Sequence, residues 1–292
     1  MNFLVSLGVT ILALSSPGAV QVKHDLAYAA GGRAHFDVYA PQHPNPRAPV
    51  AVFLYGGSWQ SGDKALYRFV GRSLASRGII TVIPDYRVYP EVRYPAFLHD
   101  NALAVAFAKR HAADWGGDRD RLFLIGHSAG AYNAAMLALD RRWLADVGLD
   151  PRRDLAGVVG LAGPYDFLPL RDTTLKTIFG PENQRPDTQP INHVDGHAAP
   201  MLLLAGDRDG TVDPGNSTRL AAAIRSHGGV ASVRIYPRLG HVSLLTSMSG
   251  LFRRRGGVLD EVAAFVDDPR TLISAPVARG GFAPVRAAEA VS

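Results

Sequence analysis

The stretch Leu122-Phe123-Leu124-Ile125-Gly126-His127-Ser128-Ala129-Gly130-Ala131-Tyr132 constrains the chain more than any other. Its first four residues form a short apolar run of the kind expected for a buried strand. The run breaks at Gly126, and small, helix-favouring residues follow: Ala129, Ala131, Ala134, Ala135, Met136 and Leu137. Between strand and helix lies Gly-His-Ser-Ala-Gly, a G-x-S-x-G nucleophile-elbow pattern. Such a turn holds its serine in a strained backbone conformation, so only small side chains fit two residues to either side. Gly126 and Gly130 meet that demand. The Ser128 hydroxyl would then stand at the sheet edge, with the next helix aiming its N-terminal amides at developing negative charge.

The residues before the elbow alternate between strand and helix patterns. His24 to Tyr28 and His35 to Tyr39 read as an antiparallel pair joined at Gly31-Gly32. Val50-Ala51-Val52-Phe53-Leu54 is a continuous apolar run, as expected of a strand buried on both faces. A helix follows over Tyr67 to Ser76, a strand over Ile79 to Ile83, and a helix over Phe97 to His111. Alternation at crossover length predicts an α/β fold with a mainly parallel central sheet and right-handed connections. A chain of 292 residues with 47% hydrophobic content can bury one such core. Arg87 and Asp100 read as a structural ion pair, since buried charges need partners.

The buried strand at Leu54 ends in Tyr55-Gly56-Gly57-Ser58-Trp59. Acyl transfer passes through an oxyanion, which fixed backbone donors stabilise by roughly 3–4 kcal/mol each. Glycines let such donors approach a substrate closely, and a Gly-Gly pair leaving a strand is an H-G-G-G type of loop, with Tyr for His and Ser for the third Gly. By position, the amides of Gly57, Ser58 and Ala129 are expected to form the oxyanion hole, and Trp59 to line the substrate pocket.

Three motifs stand in order: Tyr55 to Lys64, then Pro84-Asp85-Tyr86-Arg87 with Tyr94-Pro95 and Asp100, then Gly126 to Ala131. With them the chain resembles the α/β-hydrolase superfamily, in the esterase branch of carboxylesterases, feruloyl-esterase-like proteins and kynurenine formamidases. The resemblance covers about Asp37 to Val266. It implies the α/β-hydrolase fold, helices on both faces of the sheet, and serine hydrolysis of carboxylic esters of small to medium substrates. An arylformamidase or short-peptide amidase on the same residues is the alternative. Tyr55 departs from the branch, which usually has His there. The oxyanion donors are backbone groups, so this departure bears on how the loop is anchored.

A triad acid sits on a loop at a strand's carboxyl end. After the strand Met201 to Ala205, Asp207, Asp209 and Asp213 compete, and Asp166 lies after the preceding strand. The resemblance points to Asp209 through its G-x-x-D-x-x-V context, leaving Asp207 to brace the turn and Asp213 to cap the next helix. The base follows the acid in this fold's order. His227 ends a helix before Gly228-Gly229, where an imidazole suits a cap. His241, in the loop after the strand Val233 to Tyr236, is the expected base.

Further segments shape the surroundings. Asp140 to Asp154 reads as a basic, polar loop, and Gly163 to Ala199 as a long, proline-rich, irregular lid over the strand ends. His193, Asp195 and His197 fall in that lid without metal-ligand spacing, and the chain has no cysteine, so no metal or cofactor is implied. The net charge of +5 is scattered, with one triple run at Arg253-Arg254-Arg255 and no nucleic-acid module. The expected partner is a small-molecule ester; the sequence leaves the oligomeric state open.

Residues 1–20 carry an apolar run, Phe3 to Leu14, of signal-peptide length and too short for a stable membrane span. It has no basic n-region, and it reads as an export or membrane-associated segment or as a packed helix, with export slightly favoured. The catalytic domain is expected over 21–267 and a disordered tail over 268–292.

Overall fold

The computed structural model describes residues 20–249 and 257–270. Eight strands form one sheet: β1 (Val20–Ala27), β2 (His35–Pro41), β3 (Ala48–Leu54), β4 (Ile80–Pro84), β5 (Gly117–His127), β6 (Gly157–Leu161), β7 (Met201–Gly206) and β8 (Ala231–Tyr236). Their order across the sheet is β1-β2-β4-β3-β5-β6-β7-β8. The first two strands pair antiparallel, as does β2 with β4, and every pairing from β4 to β8 is parallel.

The centre of the sheet is made from the apolar runs. All five residues of β4 and β6 are buried, as are all six of β7. Burial on both faces needs cover on both faces, which explains why these strands read as continuous hydrophobic stretches and not as alternating ones. The helix Ala129–Leu139 is buried along its whole length, so its near-uniform Ala/Leu/Met composition reflects packing on every side. The edge strand β1 alternates between half-buried and exposed positions instead.

Two segments differ from the sequence expectation. Asp140 to Asp154 holds two short helices, Arg141–Ala145 and Pro151–Asp154. Asp140 and Asp150 each accept from the amide two residues on, and Pro151 supplies a preset first position, so the polar residues act as caps. The lid-like stretch is also less irregular than expected. It contains a helix at Thr173–Ile178 and 3-10 turns at Glu182–Thr188 and Pro190–His193. The prolines there do not prevent helix: Pro181 precedes and Pro190 opens a 3-10 turn, where the missing amide is not needed, and Pro186 lies within one.

The apolar run at 3–14, the triple arginine at 253–255 and residues 271–292 of the expected tail lie outside the described residues. Among the described residues, no helix is long and apolar enough to cross a membrane.

Candidate active site

Ser128 sits between β5 and the helix Ala129–Leu139 with φ 56° and ψ −122°. This is the left-handed half of backbone space, which a residue bearing a Cβ enters only at a cost of about 1–3 kcal/mol. Its amide donates to the Leu161 carbonyl at the end of the neighbouring β6 (2.9 Å), and its carbonyl accepts from Ala131 and Tyr132. The turn is compact because the chain packs against itself. A Cβ on Gly126 would lie 2.5 Å from the Ala131 nitrogen, and one on Gly130 would lie 2.5 Å from the Tyr55 carbonyl oxygen.

The parallel strands bring the other two side chains to the same edge. Asp209 follows β7, and His241 follows β8 as the first residue of the short helix His241–Thr246. His241 Nε2 lies 2.8 Å from Ser128 Oγ, and His241 Nδ1 lies 2.8 Å from Asp209 Oδ2. The second Asp209 oxygen accepts from the amides of Thr211 and Val212, both at 2.9 Å. Burial pushes the Asp209 carboxyl up, but the hydrogen bonds from His241 and these amides outweigh it and hold the group below the ordinary carboxylate value. The Asp209 side chain is fully buried and that of His241 is 11% exposed, so the pair is shielded while the imidazole edge remains reachable.

The competing residues are occupied elsewhere. Asp207 accepts from the Arg238 amide (2.6 Å) and braces the turn. Asp213 accepts from the Gly215 amide at a helix start, and Asp166 pairs with Arg219 (2.6 Å). His227 Nδ1 donates to the Ala223 carbonyl (2.9 Å) at a helix end. Arg87 and Asp100 form the expected ion pair, with contacts of 2.7 and 2.9 Å. In the lid, His193 donates to the Asp187 carbonyl and Asp195 pairs with Arg152. Among the described residues no group of three metal-ligating side chains converges.

The Gly-Gly loop lies against the elbow: a Cβ on Gly56 would sit 2.9 Å from the Ser128 Cβ. Gly57 has φ 133°, and Ser58 and Trp59 have φ 54° and 57°. Among the described residues the amides of Gly57 and Ser58 donate to no protein acceptor. Ala129 opens its helix, so its amide has no intrahelical acceptor either. Trp59 is buried, donates from Nε1 to Asn133 Oδ1 (3.0 Å), and meets the rings of Phe179 (4.8 Å) and Tyr132 (5.0 Å) edge-on. Phe179 also lines a half-open pocket of about 460 Å³ between Tyr94 and the lid residues Gln184 and Thr188.

Two features escaped the sequence reading. His127 is buried beside the serine, and its Nε2 donates to the main-chain carbonyl of His241 (3.1 Å) while, among the described residues, Nδ1 has no partner. Burial, with the neighbouring His241 adding to it, pushes the His127 imidazole down to about 3, so the ring is neutral. Arg33, from the β1–β2 hairpin, reaches the Gly-Gly loop. Only the position of His127 inside the elbow motif could have drawn attention to it; nothing local marks Arg33.

An antiparallel start, a parallel continuation through β8 and a strained serine after β5 are the marks of an α/β-hydrolase, and its relatives place the chain in the carboxylesterase-like branch. Within that superfamily the chain belongs to the BD-FAE family, which residues 36–224 match. A probable isoprenylcysteine alpha-carbonyl methylesterase of Arabidopsis thaliana is 36% identical over 244 residues, covering 77% of this chain and 58% of the relative. Esterase LipC of Mycobacterium tuberculosis is 31% identical over 221 residues, covering 68% of this chain and 54% of the relative. The chain thus spans little more than half the length of these relatives. Among solved structures, an esterase of the archaeon Pyrobaculum calidifontis superposes with a TM-score of 0.75 at 20% identity, covering 93% of both chains. Esterase B of Lactobacillus rhamnosis superposes with a TM-score of 0.76 at 17% identity, covering 92% of this chain and 94% of that one.

Proposed function

We propose that this protein hydrolyses carboxylic esters of small to medium size through Ser128, His241 and Asp209 and a covalent acyl-enzyme. The observation that carries this reading is the continuous chain of two 2.8 Å contacts from Ser128 Oγ through His241 to Asp209. With Nδ1–H donated to Asp209, the imidazole presents a free lone pair on Nε2 to the serine hydroxyl. His241 takes the Ser128 proton as the oxygen attacks the ester carbonyl, and the carbonyl electrons move onto oxygen. The amides of Gly57, Ser58 and Ala129, without protein acceptors among the described residues, receive that oxyanion. Collapse expels the alcohol, which takes the proton from His241, and a water repeats the sequence to release the acid. The esterase names of the relatives support the same reaction class.

The test is turnover of a p-nitrophenyl ester series of increasing acyl length, run beside N-formylkynurenine, with Ser128→Ala as control. Cleavage of esters that disappears in Ser128→Ala, without deformylation, is expected. Preferential deformylation would transfer the protein to the amidase alternative, and turnover surviving in Ser128→Ala would refute the mechanism.

A further inference from the structure

The loop carrying two of the three free amides spans Gly56 to Gly62, and its own hydrogen bonds do not fix where it points. Within it, Gln60 and Ser61 donate to the Gly57 carbonyl, which shapes the turn, and Trp59 ties down its middle through the Tyr89 amide (2.7 Å to the Trp59 carbonyl) and Asn133, so what remains to be set is how its two ends hold it. Both ends are held around Tyr55, the leading one at its carbonyl and the trailing one at its hydroxyl. At the leading end, Tyr86 OH donates to the Tyr55 carbonyl (2.7 Å). At the trailing end, Arg33 Nη2 donates to the Gly62 carbonyl (2.7 Å) and to the Tyr55 hydroxyl (2.8 Å). That hydroxyl donates to Asp85 Oδ1 (2.8 Å), the same oxygen that accepts the Lys64 amide just beyond the loop (2.8 Å).

Packing tightens the arrangement. The Tyr55 ring is stacked between Tyr86 (4.7 Å) and Tyr67 (5.3 Å) and is fully buried. Gly62 has φ 129°, and a Cβ there would lie 2.6 Å from Tyr55 Cδ2, so the loop closes directly onto that ring. Arg33 adds a bond from Nε to the Tyr86 carbonyl (2.7 Å), joining the hairpin to the segment after β4. Burial, with the nearby Tyr86 and Asp85, pushes the Tyr55 hydroxyl well above the usual phenol range, so it remains a donor.

We propose that Tyr55 and Arg33 are positioning residues for the oxyanion hole: the Arg33–Tyr55–Asp85 clamp sets the direction of the Gly57 and Ser58 amides. The proposal rests on the serine-hydrolase reading above. It ties the β1–β2 hairpin to the chemistry, although that hairpin supplies none of the triad or oxyanion-hole groups. Removing the Tyr55 hydroxyl leaves Arg33 Nη2 and Asp85 Oδ1, now 3.9 Å apart, free to close on each other and draw Arg33 away from Gly62. The hole would loosen while the ion pair keeps the fold.

Tyr55→Phe and Arg33→Met are to be assayed for kcat, KM and affinity for a short-chain alkyl trifluoromethyl ketone, well below each variant's thermal midpoint. Ser128 Oγ adds to the ketone carbon, its proton passes to His241, and the carbonyl oxygen becomes the oxyanion, so this affinity reports the hole itself. Misplacement of reacting groups by about 1 Å costs on the order of 100-fold, so kcat and ketone affinity should fall together by about 10- to 100-fold, with KM within about twofold. The double variant should be no worse than the poorer single one, because both act on one loop. Lowered thermal midpoints with unchanged kcat and ketone affinity would overturn the proposal. Arg33 is partly exposed, so Arg33→Met supplies the test even where Tyr55→Phe folds poorly. Turnover surviving in Ser128→Ala would overturn the underlying reading and the clamp with it. Loss of turnover in Ser128→Ala beside unaffected Tyr55→Phe and Arg33→Met overturns the clamp alone.

Discussion

His127→Gln should flatten the acid limb of the protein's stability curve. The folded-state imidazole is pushed down to about 3 from 6.5, by burial first and by the adjacent His241 second. Its folded value is depressed, so its contribution to stability is fully present above 6.5 and is lost as pH falls through the window toward 3. At pH 5 an unfolded chain carries this proton on roughly 97% of molecules and the folded chain on roughly 1%. Integrating that difference from pH 7 to pH 5 gives a loss of about 2 kcal/mol. The figure is set almost wholly by the unfolded value, since any folded value below about 4 gives the same result at pH 5. Glutamine keeps a donor for the His241 carbonyl but takes up no proton. Urea unfolding of both proteins at pH 7 and pH 5, with equal m-values, measures the effect. The stability advantage of wild type over variant should shrink by about 2 kcal/mol on acidification. An unchanged difference would mean that the folded protein protonates His127 as readily as the unfolded chain, and would refute the reasoning.

Two other substitutions separate chemistry from scaffolding. Asp209→Asn should lower kcat by about 10³- to 10⁴-fold, because the amide favours the wrong imidazole tautomer, with KM nearly unchanged in steady-state ester hydrolysis. Arg87→Ala should leave kcat of the folded enzyme within about twofold while lowering stability in urea by about 1–3 kcal/mol, since the largely buried Asp100 loses its partner.

The parts of this structure that could be read in the sequence are those written in local pattern. The buried strands β3, β6 and β7 are apolar runs and β4 is one broken only by Thr81, and the elbow is a strand, a small-residue turn and a helix in immediate succession. Chain order at the strand ends limited the acid to a few aspartates and the base to His227 or His241, while the choice of Asp209 came from the family resemblance. Interactions between distant segments left no such trace. Arg33 lies 22 residues from Tyr55 and 53 from Tyr86, and His127 meets the His241 carbonyl across 114 residues. Trp59 shows the same limit: its place after the Gly-Gly loop was legible, but its burial among Phe179, Tyr132 and Asn133 depends on the lid and a neighbouring helix. The helices in 140–154 were obscured because Asp140, Asp150 and Pro151 read equally well as loop residues and as caps.

The central claim is that Ser128 is the nucleophile activated by His241. Its most direct test is intact-protein and peptide mass spectrometry after treatment with a p-nitrophenyl alkylphosphonate, with release of p-nitrophenol followed in parallel. One equivalent of p-nitrophenol, a single phosphonyl adduct on Ser128 and complete loss of ester turnover are expected, with labelling abolished in Ser128→Ala and greatly slowed in His241→Ala. An inhibited protein labelled at another residue, or full turnover after stoichiometric labelling of Ser128, would contradict it.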